Sequence, residues 1–195
     1  MVQREKLFFT VTIFVYFIFS AFGFTNLKDS SSVNNFKLKD YNGKEHSLSD
    51  YKDSKAIVLM FISTQCPVSN AYNSRMENLY KKYKNKDVSF IGINANKTED
   101  VETIKDHAQS HGLDFIILKD EGNKIADELD ASVTPEIYVL NPGNFEILYH
   151  GRIDDSRNEN NVTSKDLENA LNEILSGKEV TNKRTKAFGC TIKRI

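Results

Sequence analysis

Two short runs of alternating apolar and polar residues flank Asn42-Gly43 in FKLKDYNGKEHSL (36–48), which predicts two strands joined by a tight turn. The pattern then changes: AIVLMFIS (56–63) is continuously apolar, the signature of a strand buried on both faces. From Pro67 to Lys84 the apolar residues Val68, Tyr72, Met76, Leu79 and Tyr83 recur every three or four positions, which predicts one amphipathic helix. VSFIGINAN (88–96) is a second buried strand; Val101, Ile104 and Ala108 mark a helix ending near Gly112, and DFIILKD (114–120) is a third strand. NKIADELD (123–130) reads as a short helix, and TPEIYVL (134–140) and FEILYHGRI (145–153) as strands joined at the turn NPGN. Thr163 and Asp166 are spaced as a capping pair for a last helix, whose stripe is Leu167, Leu171, Ile174 and Leu175, up to Gly177.

Strands separated by helices pair in parallel, whereas strands joined by a tight turn pair antiparallel. The order of these elements therefore predicts an α/β fold with a mixed central β-sheet and helices on both faces.

The N-terminus lies outside that pattern. MVQREKLFFTVTIFVYFIFSAFGFTN sets Arg4 and Lys6 before a long uncharged apolar stretch, with Ala21 and Gly23 at the spacing a signal peptidase reads. Residues 1–24 are read as a signal peptide or an N-terminal membrane anchor, since about 20 apolar residues span a bilayer. Residues 7–24 are then a candidate membrane tether. A basic flank ahead of the apolar run places everything after it across the membrane, in a periplasmic or extracellular location. Residues 25–35, including SSSVNN, form a linker; 36–177 form the domain, and 178–195 a C-terminal tail carrying Cys190. With 26 basic and 27 acidic residues and no basic cluster, nucleic acid is not an expected partner.

Export changes what the chain's two cysteines mean, because disulfides persist outside the cytosol; Cys66 and Cys190 become a candidate pair. Cys66 stands where the first buried strand hands over to a helix opening at Pro67, a residue suited to the first helical position. Amides there lack intrahelical partners and lie at the positive end of the helix dipole, so they favour a thiolate over the free thiol of pKa about 8.5. A permanent staple fits the same residues, since closing so long a loop stabilises by about 4–5 kcal/mol. These local features leave both readings open. His46, His107, His111 and His150 show no ligand spacing beside the cysteines, and His107 and His111, one helical turn apart, read as a solvated face. Neither a metal nor a cofactor is expected.

VTPEIYVL (133–140) resembles the segment of thioredoxin-like proteins in which a cis proline lies against the redox cysteine. With QCP after the first long strand and the final helix, the resemblance covers most of residues 36–177 and implies a thioredoxin-like three-layer sandwich. More narrowly, CPVSNAY, HGRIDD and the terminal GCTIK resemble the redoxin branch, related to the AhpC/TSA (peroxiredoxin-like) group. The resemblance implies that Cys66 is the attacking thiol, that Thr134 and Pro135 dock a substrate's extended backbone, and that Cys190 is the second thiol. Ser69 stands where many exported relatives carry the second cysteine of Cys-x-x-Cys, so a local disulfide is excluded. Ser63 stands at the threonine position of peroxiredoxins, and Leu59 where their proline is expected. Arg152 either stabilises negative charge on a departing oxygen or pairs with Asp154 or Asp155. The expected function is thiol-disulfide exchange with a protein or small-molecule disulfide and an external thiol reductant. The alternatives are a peroxidase acting through Cys66, and a non-catalytic binding module with a structural Cys66–Cys190 disulfide.

Overall fold

The structure, a computed structural model, describes residues 32–194; the signal or anchor segment 1–24 lies outside the described residues. Strands β1 (Lys37–Asp40) and β2 (Glu45–Ser47) form the expected hairpin, whose turn is held by Asp40 Oδ1 accepting the Asn42 and Lys44 N–H groups, with Gly43 at φ +83°. β3 (Ala56–Phe61) and β4 (Val88–Asn94) pair in parallel at the centre, and β5 (Ile116–Lys119) extends β4 in parallel. Passing over β6 (Val133–Thr134), the chain forms β7 (Glu136–Leu140) and β8 (Ile147–Gly151), which continue the sheet antiparallel on the other side of β3. The seven-stranded order is β2-β1-β5-β4-β3-β7-β8, a mixed sheet as the alternation of helices and hairpins requires.

Every residue of β3 is buried, because alternate side chains feed two separate cores. Ala56, Val58 and Met60 join the apolar residues of α2 (Asn73–Tyr83), α3 (Val101–His111) and α5 (Asp166–Leu175) on one face. Ile57, Leu59 and Phe61 pack with α4 (Lys124–Glu128), Val33, Phe36 and Leu48 on the other. Burying an aliphatic side chain fully contributes about 1.5–3 kcal/mol, so this one strand anchors both layers.

Two local expectations are corrected. The helix expected over 67–84 is broken at Tyr72: α1 (Pro67–Ala71) ends where the Tyr72 N–H turns back to the Ser69 and Asn70 carbonyls, and α2 starts at Asn73. At the break the Tyr72 hydroxyl donates to Asp154 at 2.8 Å and the Arg75 guanidinium covers its ring, tertiary contacts that fix this residue between the two helices. The Thr163–Asp166 capping pair is absent as well. The N-cap is Lys165 without a side-chain bond; Thr163 donates instead to the Asp155 carboxylate, and Asp166 accepts from Ser164 and Arg152.

Residues 180–194 run back along the body. The His150 N–H donates to the Lys183 carbonyl and the Thr185 N–H to the His150 carbonyl, after which β9 (Cys190–Thr191) pairs antiparallel with β6. Val180 and Ile192 are buried. Among the described residues no helix is long and apolar enough to cross a membrane.

Candidate functional site

Cys66 is the N-cap of α1, in extended backbone, with Pro67 at the first helical position. Its Sγ accepts the Ser69 N–H at 3.3 Å and lies 3.3 Å from the Thr134 carbonyl oxygen. The sulfur is joined to that of Cys190, 124 residues later, with the two α-carbons 5.8 Å apart. Because α1 is only five residues long, stabilisation of a Cys66 thiolate comes from the local Ser69 N–H more than from a long helix dipole. Cys66 itself is 3% exposed.

The loop before Cys66 is fixed by a buried polar network. Ser63 Oγ donates to Glu99 Oε1 at 2.5 Å and accepts the Cys66 N–H at 3.0 Å and the Gln65 N–H at 3.2 Å. Glu99 Oε2 accepts the Thr64 N–H at 2.7 Å and the Asn94 amide at 2.6 Å. Ser69, fully buried, closes the other side by accepting the Ser63 N–H at 3.1 Å, so the residue in place of a second thiol ties strand to helix. Behind this network Lys119 Nζ donates to the Asn96 carbonyl and Asn94 Oδ1, and burial pushes its pKa down. Sequence reasoning missed Glu99. In NANKTED it stands among polar residues and carries no periodic signal, although it is 1% exposed.

Facing Cys66, the Thr134-Pro135 peptide bond is cis. The segment leading into it hangs on Glu136, whose Oε2 accepts the Ser132 and Val133 N–H groups at 2.8 and 3.1 Å. Its other oxygen meets His150 Nε2 at 2.6 Å and the Tyr138 hydroxyl at 3.2 Å. Burial alone would raise the Glu136 pKa, but the His150 hydrogen bond and the two amides outweigh it and hold the carboxyl below its usual range.

Of the residues singled out in the sequence, Cys66, Cys190 and Thr134 meet directly, and Ser63, Pro67, Ser69 and Pro135 frame them. Arg152 is not part of this group. Its Nε donates to Asp166 Oδ2 at 2.7 Å, and Asp154, one of its expected partners, is taken by Arg75 in a buried pair at 2.6 Å. Asp155, the other, is occupied by Thr163. His107 binds the Asn73 amide at 3.1 Å, and among the described residues no group of three or more His, Cys, Asp or Glu side chains is placed to hold a metal.

A parallel core of three strands, antiparallel β7 and β8 beside it, and a cis proline opposite an N-cap cysteine make up a thioredoxin-like fold. The AhpC/TSA family profile matches residues 30–156, and the chain belongs to that family. It is 29% identical to the thiol-disulfide oxidoreductase ResA of Bacillus subtilis over 62% of this chain and 65% of that protein. It is 33% identical to the chloroplastic peroxiredoxin Q of Triticum aestivum over 56% of this chain and 48% of that protein. The chain thus spans less than two thirds of either relative's length. A solved uncharacterized conserved protein from Geobacillus kaustophilus superposes with a TM-score of 0.78 at 32% identity, covering 84% of this chain and 90% of that one.

Proposed function

We propose that this protein is an exported thiol-disulfide oxidoreductase in which Cys66 is the attacking thiol and Cys190 the resolving one. The observation that carries the reading is the bond between an N-cap cysteine and a cysteine on a terminal strand, formed beside the cis Thr134-Pro135 segment. In the cycle, the Cys66 thiolate attacks one sulfur of a substrate disulfide; a mixed disulfide forms and the other substrate sulfur leaves as a thiolate. The Cys190 thiolate then attacks the Cys66 sulfur, which releases the second substrate thiol and leaves the protein oxidised by two electrons. An external dithiol resets the pair. The basic-then-apolar N-terminus supports export, which would put the cycle where disulfides persist.

Similarity to peroxiredoxin Q keeps peroxide reduction as a second reading. Such chemistry needs a free donor near the thiol to stabilise charge on the departing oxygen. The Ser63 hydroxyl proton is engaged by Glu99, the Arg152 Nε–H by Asp166 and an Arg157 Nη2–H by the Pro67 carbonyl, which supports exchange over peroxide reduction.

Equilibration of the full chain in graded thiol-disulfide buffers, followed by mass mapping, tests the proposal. A Cys66–Cys190 couple between about −120 and −270 mV is expected for an exchange catalyst; a value below about −300 mV would assign the bond to the structural class. Peroxide consumption by the reduced protein is expected to be no faster than that of free cysteine.

A further inference from the structure

The strand that brings Cys190 to Cys66 is itself a peptide seated on a strand edge. Cys190 and Thr191 pair with Thr134 and Val133, and the Ile192 N–H continues the ladder to the Ser132 carbonyl at 3.0 Å. Backbone pairing of this kind admits any sequence, so selectivity must come from the side chains on either side of the cysteine. Three of them are constrained here. Gly189 lies so close to the Thr134 carbonyl that a β-carbon would overlap its oxygen, and backbone on both sides leaves little room to yield. Ile192 is 3% exposed and joins the apolar cluster of Ile125, Leu129 and Ala131. Phe188 packs edge-to-face on Tyr72 with ring centroids 6.3 Å apart. Thr191, between the two selective positions, is exposed.

We infer that a polypeptide docked on the Val133–Thr134 edge is selected for glycine immediately before its cysteine and for an aliphatic residue two positions after it. The protein's own residues 188–192 fill that site as an internal ligand. This rests on the exchange reading above and names its substrate class. Tail and substrate exclude each other: the reduced protein takes the substrate strand only when the tail strand has left β6, and the tail returning to close the Cys66–Cys190 bond takes the edge from the departing peptide thiol. In the first step the new bond joins Cys66 to the peptide cysteine at the place the Cys190 sulfur now holds; the peptide's former disulfide breaks, and its partner sulfur leaves as a thiolate.

The test uses the reduced full-length Cys190→Ser protein and two synthetic peptides, Ala-Phe-Gly-Cys-Thr-Ile-Lys and Ala-Phe-Ala-Cys-Thr-Ile-Lys. Each peptide is blocked at cysteine as a mixed disulfide with thionitrobenzoate, and the symmetric thionitrobenzoate disulfide serves as control. Release of the coloured thiolate reads the rate. The glycine peptide is expected to react about tenfold faster than the alanine peptide, the ratio that a modest steric penalty imposes. Adding Gly189→Ala, which unseats the tail, should raise the glycine-peptide rate severalfold; circular dichroism checks that this variant is folded. Equal peptide rates alongside a reactive control would overturn the docking proposal and leave the exchange reading standing. An unchanged rate in the folded Gly189→Ala variant would overturn the internal-ligand part. Failure of Cys66 to react even with the control would overturn the exchange reading and this inference with it.

Discussion

The two ends of the Cys66–Cys190 bond are held by different physics. On the Cys66 side the supports are buried side chains: Ser63, Ser69, Asn94 and Glu99 are each 5% exposed or less and fix the backbone amides of residues 63–66. On the Cys190 side the supports are mostly backbone: the β6–β9 ladder, the Lys97 N–H on the Lys193 carbonyl and the Lys193 N–H on Asn96 Oδ1. Apolar contacts there come from the buried Ile192 and from Phe188, half-buried against Tyr72. A site built from buried, mutually satisfied side chains keeps its geometry when its partner leaves; a strand held by a few edge pairings can come and go. In the proposed cycle, this asymmetry supports a fixed role for Cys66 and a moving role for Cys190.

The largest expected effect breaks the comparison at its centre. Cys66→Ser should abolish disulfide exchange, whereas Cys190→Ser should still accumulate a mixed disulfide on Cys66 without turning over. Mass spectrometry of alkylated reaction mixtures distinguishes the two, and equal accumulation in both variants would erase the distinction. Next in size is Glu99→Ala, which leaves the Ser63 hydroxyl and the Thr64 and Asn94 donors without their acceptor in a buried site. Chemical denaturation of the oxidised protein should show a loss of about 3 kcal/mol, with Glu99→Gln recovering part of it. A loss under about 0.5 kcal/mol would mean that the network does not hold the loop.

A smaller effect is tied to pH on the docking side. The folded-state pKa of Glu136 is depressed, so its contribution is fully present above the ordinary value of 4.5 and is lost as pH falls through the lower folded value. Stability of the wild type should therefore decline more steeply than that of Glu136→Gln as pH drops below 4.5, and parallel curves would refute the assignment. The smallest change is expected at the rim of the tail. Arg194 pairs with Asp127 at 2.7 Å, an ion pair that adds little because the two side chains are 35% and 60% exposed, and its Nη2 donates to the Ala131 and Ala126 carbonyls. Arg194→Ala should cost about 1 kcal/mol in thermal or denaturant unfolding, and a loss above about 3 kcal/mol would show that the tail is held from its end.

Much of the architecture was legible because it depends on local period. The unbroken run Ala56 to Phe61 announced a strand covered on both faces, and Asn42-Gly43 announced the turn beside it. The break in the helix expected over 67–84 leaves no trace in the sequence, because Val68 and Met76 keep helical spacing on either side of Tyr72, whose partner Asp154 comes from across the chain. Thr163 and Asp166 failed as a capping pair for a similar reason, each having a stronger partner supplied by the loop after β8. Arg152 is expected either at a departing oxygen or on Asp154 or Asp155, yet the carboxylate it pairs with, Asp166, is fourteen residues on and becomes adjacent only after folding.

By itself the sequence determined the order of the central sheet's strands along the chain, the cysteine at a strand-to-helix junction and the exclusion of a local Cys-x-x-Cys bond by Ser69, because each is written within a few neighbouring residues. Only the tertiary structure decided that Glu99 holds the Cys66 loop, that Arg152 pairs with Asp166 and that Gly189 presses against Thr134. Those relations join residues dozens of positions apart, and burial, which makes them strong, is a property of the folded chain.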